Sequence, residues 1–174
     1  MFDVPNIIGL IALTMTVVAL TRRSNRGLLA VLGLSVLLWA VHYGLLGSVS
    51  GFMVHLVAAI SLFVAHWMQG ASETARGVAG AAFSVAGVTC CWYFGTGWAD
   101  VLAAVGCVLI TMTQFLGKGN TLRLGFMGGE TVFFGFALMV GSVPGMAVTA
   151  GNFAAGLIGL IRRQRAPAEA LVTD

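Results

Sequence analysis

Charge is what this sequence most lacks. Only 9% of its 174 residues are Asp, Glu, Lys or Arg, whereas a soluble domain carries roughly 25%. With 59% hydrophobic residues, the chain reads as an all-α integral membrane protein. Cysteine is also scarce. Cys90, Cys91 and Cys107 are too few and wrongly spaced for a disulfide framework or a zinc site, so they read as small apolar residues in helices. The 3 prolines are Pro5 and Pro144, at the starts of apolar stretches, and Pro167, which ends any helix in the polar tail. No Ser/His/Asp arrangement and no phosphate-cradling glycine loop is visible. The expectation is therefore no enzyme, no bound metal and no cofactor.

A helix needs about 20 apolar residues to cross a bilayer. Seven such helices consume nearly the whole chain, which leaves no room for a nucleic-acid-binding or catalytic module. The pI near 9.1 does not argue for nucleic acid. The basic residues sit in short loops, where attraction to anionic lipid headgroups is enough.

What charge there is has a pattern. The basic clusters are Arg22, Arg23 and Arg26; Arg76; Lys118 and Arg123; and Arg162, Arg163 and Arg165. The intervening breaks hold no Lys or Arg: GSVSG (47–51), GTGWAD (95–100, with Asp100) and GSVPG (141–145). Cytoplasmic loops are enriched in Lys and Arg. The alternation predicts seven transmembrane helices with the N-terminus outside and the C-terminus cytoplasmic. The expected spans are 5–21, 27–46, 50–68, 77–95, 98–116, 121–140 and 144–162. In the first, positive charge follows the apolar run, the reverse of a cleaved signal peptide. Trp67 falls at an inner end and Trp92, Tyr93 and Trp98 at outer ends, where amphipathic rings favour the headgroup level. Trp39 lies within a span.

The sequence also repeats. GSVSG and GSVPG match at an offset of 94, and each follows one apolar helix and begins another. At the same offset Leu28 meets Leu122 and Val54 meets Val148. A basic loop precedes each unit. Spans one to three and five to seven thus read as two copies of one unit. Span four adds a crossing, so both copies enter from the same side and form a parallel repeat. The expected divisions are a first unit over 1–68, a linker helix over 69–97, a second unit over 98–163 and a polar tail over 164–174. Span four is rich in Gly, Ala and Ser, which let helices approach closely.

Polar groups inside a membrane need a reason, since an ionisable side chain at the bilayer centre costs about 2.5–3.5 kcal/mol on insertion scales. Glu130 is the clearest case. It reads either as a carboxylate facing a cavity or as a group bonded to a neighbouring helix. His42 and His55 lie in the outer thirds of spans two and three. Ser35, Trp39 and His42 share one helix face by spacing, as do Glu130 and Phe133. The offset pairs Trp39 with Phe133 and His55 with Thr149, and Asn152 follows on the same face. Each unit thus places an aromatic on its second helix and a polar group on its third. A ring to stack on and a few hydrogen-bonding groups are what a small polar solute needs. Trp39, His42, His55, Glu130, Phe133, Thr149 and Asn152 are therefore the candidate binding residues.

The segments WAVHYGLLGSVSG (39–51), GKGNTLRLGFMGGETVFFGFALMVGSVPG (117–145) and NFAAGLIGLIRRQR (152–165) resemble the YgjV family of bacterial inner-membrane proteins. The resemblance covers most of the chain and implies a multi-pass protein of that membrane. The plan of three helices, a linker and three more is similar to the SWEET sugar facilitators. That likeness implies aromatic roles for Trp39 and Phe133 and an Asn role for Asn152, with His55 near the first unit's Asn position. Proline hinges and a PQ motif are missing, so glycines such as Gly125, Gly128 and Gly129 are the candidate bending points. Vitamin importers share the plan. The expectation is a transporter of a small sugar-like or vitamin-like solute. Its partners would be the bilayer and that solute, and small-residue faces would permit a homo-oligomer. The alternative is a non-transporting scaffold or accessory subunit of a membrane complex.

Overall fold

The computed structural model describes residues 4–22, 24–45, 47, 49–95, 97–139 and 143–164. Arg23, residues 140–142 and residues 165–174 lie outside the described residues. All regular structure among them is helical: α1 (Val4–Leu20), α2 (Asn25–Leu45), α3 (Val49–Trp67), α4 (Glu73–Phe94), α5 (Trp98–Leu116), α6 (Asn120–Met139) and α7 (Val143–Gln164). One 3₁₀ turn, Met68–Gly70, joins α3 to α4. The connections are three to five residues long, too short to run back along the bundle, so successive helices alternate in direction. Gly47 and Gly119 hold φ of 75° and 55° in two of these turns, a conformation that side chains with a Cβ resist.

The distribution of polarity is the reverse of a soluble protein's. Leu10, Leu37, Ile60, Val78, Val85, Leu124 and Leu157 are exposed, while Ser35, Ser61, Gln114, Thr111 and Asn152 are buried. An apolar exterior around polar interior groups is what a bilayer selects. By length and composition, α2, residues 51–70, α4 and α5 are long and apolar enough to cross a membrane. Shorter apolar stretches lie in α1 and α7. The run along α6 is broken by Arg123 and Glu130. Trp67, Trp92, Tyr93 and Trp98 stand exposed at helix ends.

Helix α2 sits between α1 and α3, and α6 between α5 and α7. The two triplets meet along two seams, α1 against α7 and α3 against α5. Helix α4 packs on α3 and α5 through one narrow stripe, Arg76, Gly80, Ser84, Gly87 and Cys91. Its glycines admit the neighbours: a Cβ on Gly87 would stand 2.4 Å from the Cys107 Sγ. Helix α4 starts one turn before its apolar run because Ser72 caps it, accepting from the Ala75 N–H at 3.2 Å. Loss of such a cap costs about 1 kcal/mol. Ser72→Ala is therefore expected to lower stability by about that amount, read from the denaturation midpoint in detergent.

One end of the bundle is closed. Leu28, Leu29, Leu32, Leu62, Phe115, Leu122 and Phe126 pack there with Ala19 and Ala65. Two buried arginines donate to backbone carbonyls at the same end. Arg76 Nε donates to the Phe115 carbonyl. Arg123 donates to the Gly119 carbonyl at 3.1 Å and to that of Arg22 just past α1. The sequence pattern reads both only as loop charges. Each also supplies a donor to a carbonyl at or just past a helix C-terminus, Phe115 for Arg76 and Arg22 for Arg123.

Candidate functional site

Above the closed end, α1, α2, α3, α5, α6 and α7 enclose a cavity of about 170 Å³. A single water needs roughly 10–15 Å³ of such space, so there is room for a small solute. Its floor is Leu20, Leu32, Leu62 and Phe126, the last three of which belong to the core. Its upper wall, Tyr43, Val54, Phe136 and Val148, reaches to within about one or two turns of the opposite helix ends. No residue of α4 lines it.

Six of the seven candidate residues line this one space: Trp39, His55, Glu130, Phe133, Thr149 and Asn152. On α2 the lining stripe is Leu32, Val36, Trp39 and Tyr43, at steps of four, three and four residues. Trp39 and Tyr43 lie 6.1 Å apart by ring centroid, and Tyr43 lies 4.7 Å from the His55 ring on α3. Phe133 packs over Gly106 of α5, where a Cβ would stand 2.9 Å from the ring.

His42 is the exception. Its ring turns onto α1, with Nδ1 2.7 Å from the Pro5 carbonyl, and Gly9 gives it space. Ser35 faces the same way and donates to the Ala12 carbonyl at 2.6 Å. The face proposed for Ser35, Trp39 and His42 is therefore split. Residues 35 and 42 are seven apart and meet α1, whereas Trp39 stands at the edge of the cavity.

Glu130 fits both of its sequence readings. It lines the cavity, and its Oε1 accepts from Asn152 Nδ2 of α7 at 2.9 Å. Asn152 is 5% exposed, and its Oδ1 has no hydrogen-bond partner. Oε1 is the acceptor in this bond, so the amide turns its NH₂ to Glu130 and keeps its own oxygen free to accept. His55 Nδ1 lies 2.8 Å from the Gly51 carbonyl. A carbonyl can only accept, so Nδ1 donates, and the neutral ring keeps a lone pair on Nε2. Thr149 Oγ1 donates to the Met146 carbonyl at 3.2 Å. Glu130 and Thr149 also border a groove on the outer surface between α6 and α7, with Phe134, Ala150 and Phe153.

Sequence reasoning missed Tyr43, whose place on the lining stripe follows only once α2 is rotated so that Trp39 faces inward. It assigned no partner to Gln114, whose Nε2 donates to Ser61 Oγ across the α3 and α5 seam. No spacing along a single helix carries a bond between two helices. Among the described residues, no group of three His, Cys, Asp or Glu could hold a metal ion.

A family model described as "Bacterial inner membrane protein", Imp-YgjV, matches residues 3–166. No curated protein and no solved structure matches the chain.

Proposed function

Since the chain belongs to the YgjV family of bacterial inner-membrane proteins, we propose that it is a small-solute transporter of that membrane. The observation that carries the reading is the cavity shared by both helix triplets at the level of Trp39, Glu130 and Asn152. A scaffold gains nothing from a cavity whose wall holds a carboxylate and an unpaired amide oxygen, since polar groups in a membrane interior are costly.

In this reading all seven helices cross the bilayer, the N-terminus is outside and the C-terminus is cytoplasmic. The exposed Arg22, Arg26 and Lys118 gather at the closed end, which makes that end cytoplasmic by the positive-inside rule. The described state is then closed to the cytoplasm. The two triplets are parallel repeats, and α4 is the linker that sets them the same way up. Their seams support this, because α1 with α7 and α5 with α3 exchange under a twofold axis. The plan is SWEET-like, with a sugar-like or vitamin-like solute held between the units. Trp39 and Phe133 stack on it, while His55, Thr149 and Asn152 bond to it. Rocking of one unit on the other would open the closed end and complete alternating access.

Uptake by proteoliposomes over a panel of radiolabelled sugars and vitamins tests the reading. At least one solute is expected to accumulate. Trp39→Ala and Glu130→Gln are each expected to reduce its rate about tenfold or more, the loss of one stacked ring or one charged contact. Wild-type rates in both variants would refute the proposed site.

A further inference from the structure

Among the described residues, Glu130 is the one acidic residue on the cavity wall, and no Lys or Arg lines either the cavity or the outer groove beside it. Among the described residues it accepts one hydrogen bond, from the neutral amide Asn152 Nδ2. A part-buried carboxylate in apolar surroundings is stabilised by a cationic partner, and the described residues around this cavity bring none. Two polar atoms on the same wall are acceptors as well. Asn152 Oδ1 is buried and unpartnered, and His55 spends its Nδ1 proton on the Gly51 carbonyl. Aromatic rings line the same cavity, Trp39 and Tyr43 on α2 and Phe133 and Phe136 on α6 beside Glu130. Ring faces attract cations, and the more so where water is excluded.

A carboxyl group with no cationic partner and an unpaired amide oxygen, set among aromatic faces, select for charge and for hydrogen-bond donors together. We infer that the cavity takes a small organic monocation, its N–H donors directed at Glu130 and Asn152 and its apolar body lying among the aromatic rings. A primary arylalkylammonium is the simplest such molecule. The inference rests on the transport reading and narrows its solute class. Within that reading it sets a ring-bearing nitrogen cation above a neutral sugar, whose hydroxyls leave the carboxylate without a counter-charge.

The test measures binding to the full chain in lipid nanodiscs, by thermal shift and by Trp fluorescence. Three probes of similar shape separate the contributions: 2-phenylethylammonium, the uncharged 2-phenylethanol, and benzyltrimethylammonium, which is charged but has no N–H donor. The primary ammonium is expected to raise the unfolding temperature in a saturable way. The alcohol should leave it unchanged, and the quaternary ion should bind more weakly than the primary one. Glu130→Gln keeps an oxygen to accept from Asn152, so the fold should persist, and ammonium binding should weaken by about thirtyfold or more. Asn152→Ala should weaken the primary ion but leave the quaternary one nearly unaffected. Equal responses to ammonium and alcohol, or an undiminished response in Glu130→Gln, would overturn the inference. Proteoliposome uptake of glucose or another neutral solute without ammonium binding would overturn it while leaving the transport reading intact. Glu130-dependent ammonium binding without uptake of any solute, phenylethylammonium included, would keep the site and refute transport.

Discussion

Replacing Arg123 with Ala is expected to lower the stability of the folded protein by about 3–4 kcal/mol, one of the two largest effects foreseen for a single change. The residue is fully buried, so truncation leaves a cavity of the kind that costs 2–5 kcal/mol for large aliphatic side chains. It also removes two charge-assisted donations, to the carbonyls of Gly119 and Arg22, each worth about 1.5–3 kcal/mol. Relief of the buried charge's desolvation offsets part of this loss, which is why the total is placed below the sum. Arg123→Lys should fall between, because an ammonium keeps the charge but cannot fork to two carbonyls in the same geometry. The denaturation midpoint in detergent is the readout, with a drop of about 10 °C expected for the alanine variant. The same residue ties α6 to the end of α1, across the two triplets. The loss should therefore also loosen the closed end, seen as faster hydrogen exchange in residues 17–24.

The second large effect separates two glycines three positions apart on α6. A Cβ on Gly125 would stand 2.2 Å from both Thr113 Oγ1 and Cγ2 and 2.7 Å from Thr113 Cβ. Rotating the Thr113 side chain leaves the Cβ contact in place, so α5 and α6 must part. Overpacking of this kind costs about 1–3 kcal/mol. A Cβ on Gly128 meets nothing within 4 Å. There the gain in helix propensity, up to about 1 kcal/mol, is unopposed. Gly125→Ala is therefore expected to destabilise by about 2 kcal/mol, and Gly128→Ala to be neutral or stabilising. Equal behaviour of the two variants in a detergent unfolding titration would contradict the close packing of α5 on α6. It follows that Gly125 and Gly128 play different parts. The first is a contact point and the second is free to bend or to be filled.

Much of the helical frame was legible because apolar runs and basic breaks are separate signals that agree. The expected stretches 5–21, 98–116 and 144–162 lie within about two residues of the ends of α1, α5 and α7. The poorest boundary was the start of α4, placed at 77 and found at Glu73. Its first turn is polar and held by a cap, which a hydropathy reading cannot weigh. The candidate residues came from matching two units at equal depth, and six of them line one cavity. His42 and Tyr43 show where that reasoning runs out. Adjacent residues on a helix point about 100° apart, and the rotation of α2 is fixed by α1, through Ser35 and His42. No pattern within α2 reports it. The arginines at the closed end carry the same lesson. A cation beside a helix end serves the topology and the cap at once, and only the second use is invisible in sequence.

The proposed transport needs a solute path between the two triplets, open in turn to each side of the membrane. Cysteine accessibility at Val54 and Val148, which line the cavity on α3 and α7, tests it most directly. Cys90, Cys91 and Cys107 would first be replaced by Ser or Ala, and a lipid-facing cysteine at Leu157, which is 46% exposed, serves as the control. Treated with a membrane-impermeant maleimide, both lining positions are expected to react in right-side-out and in inside-out vesicles, faster from the outer side, while position 157 stays unlabelled. Failure of positions 54 and 148 to react from either side, as at 157, would contradict the path.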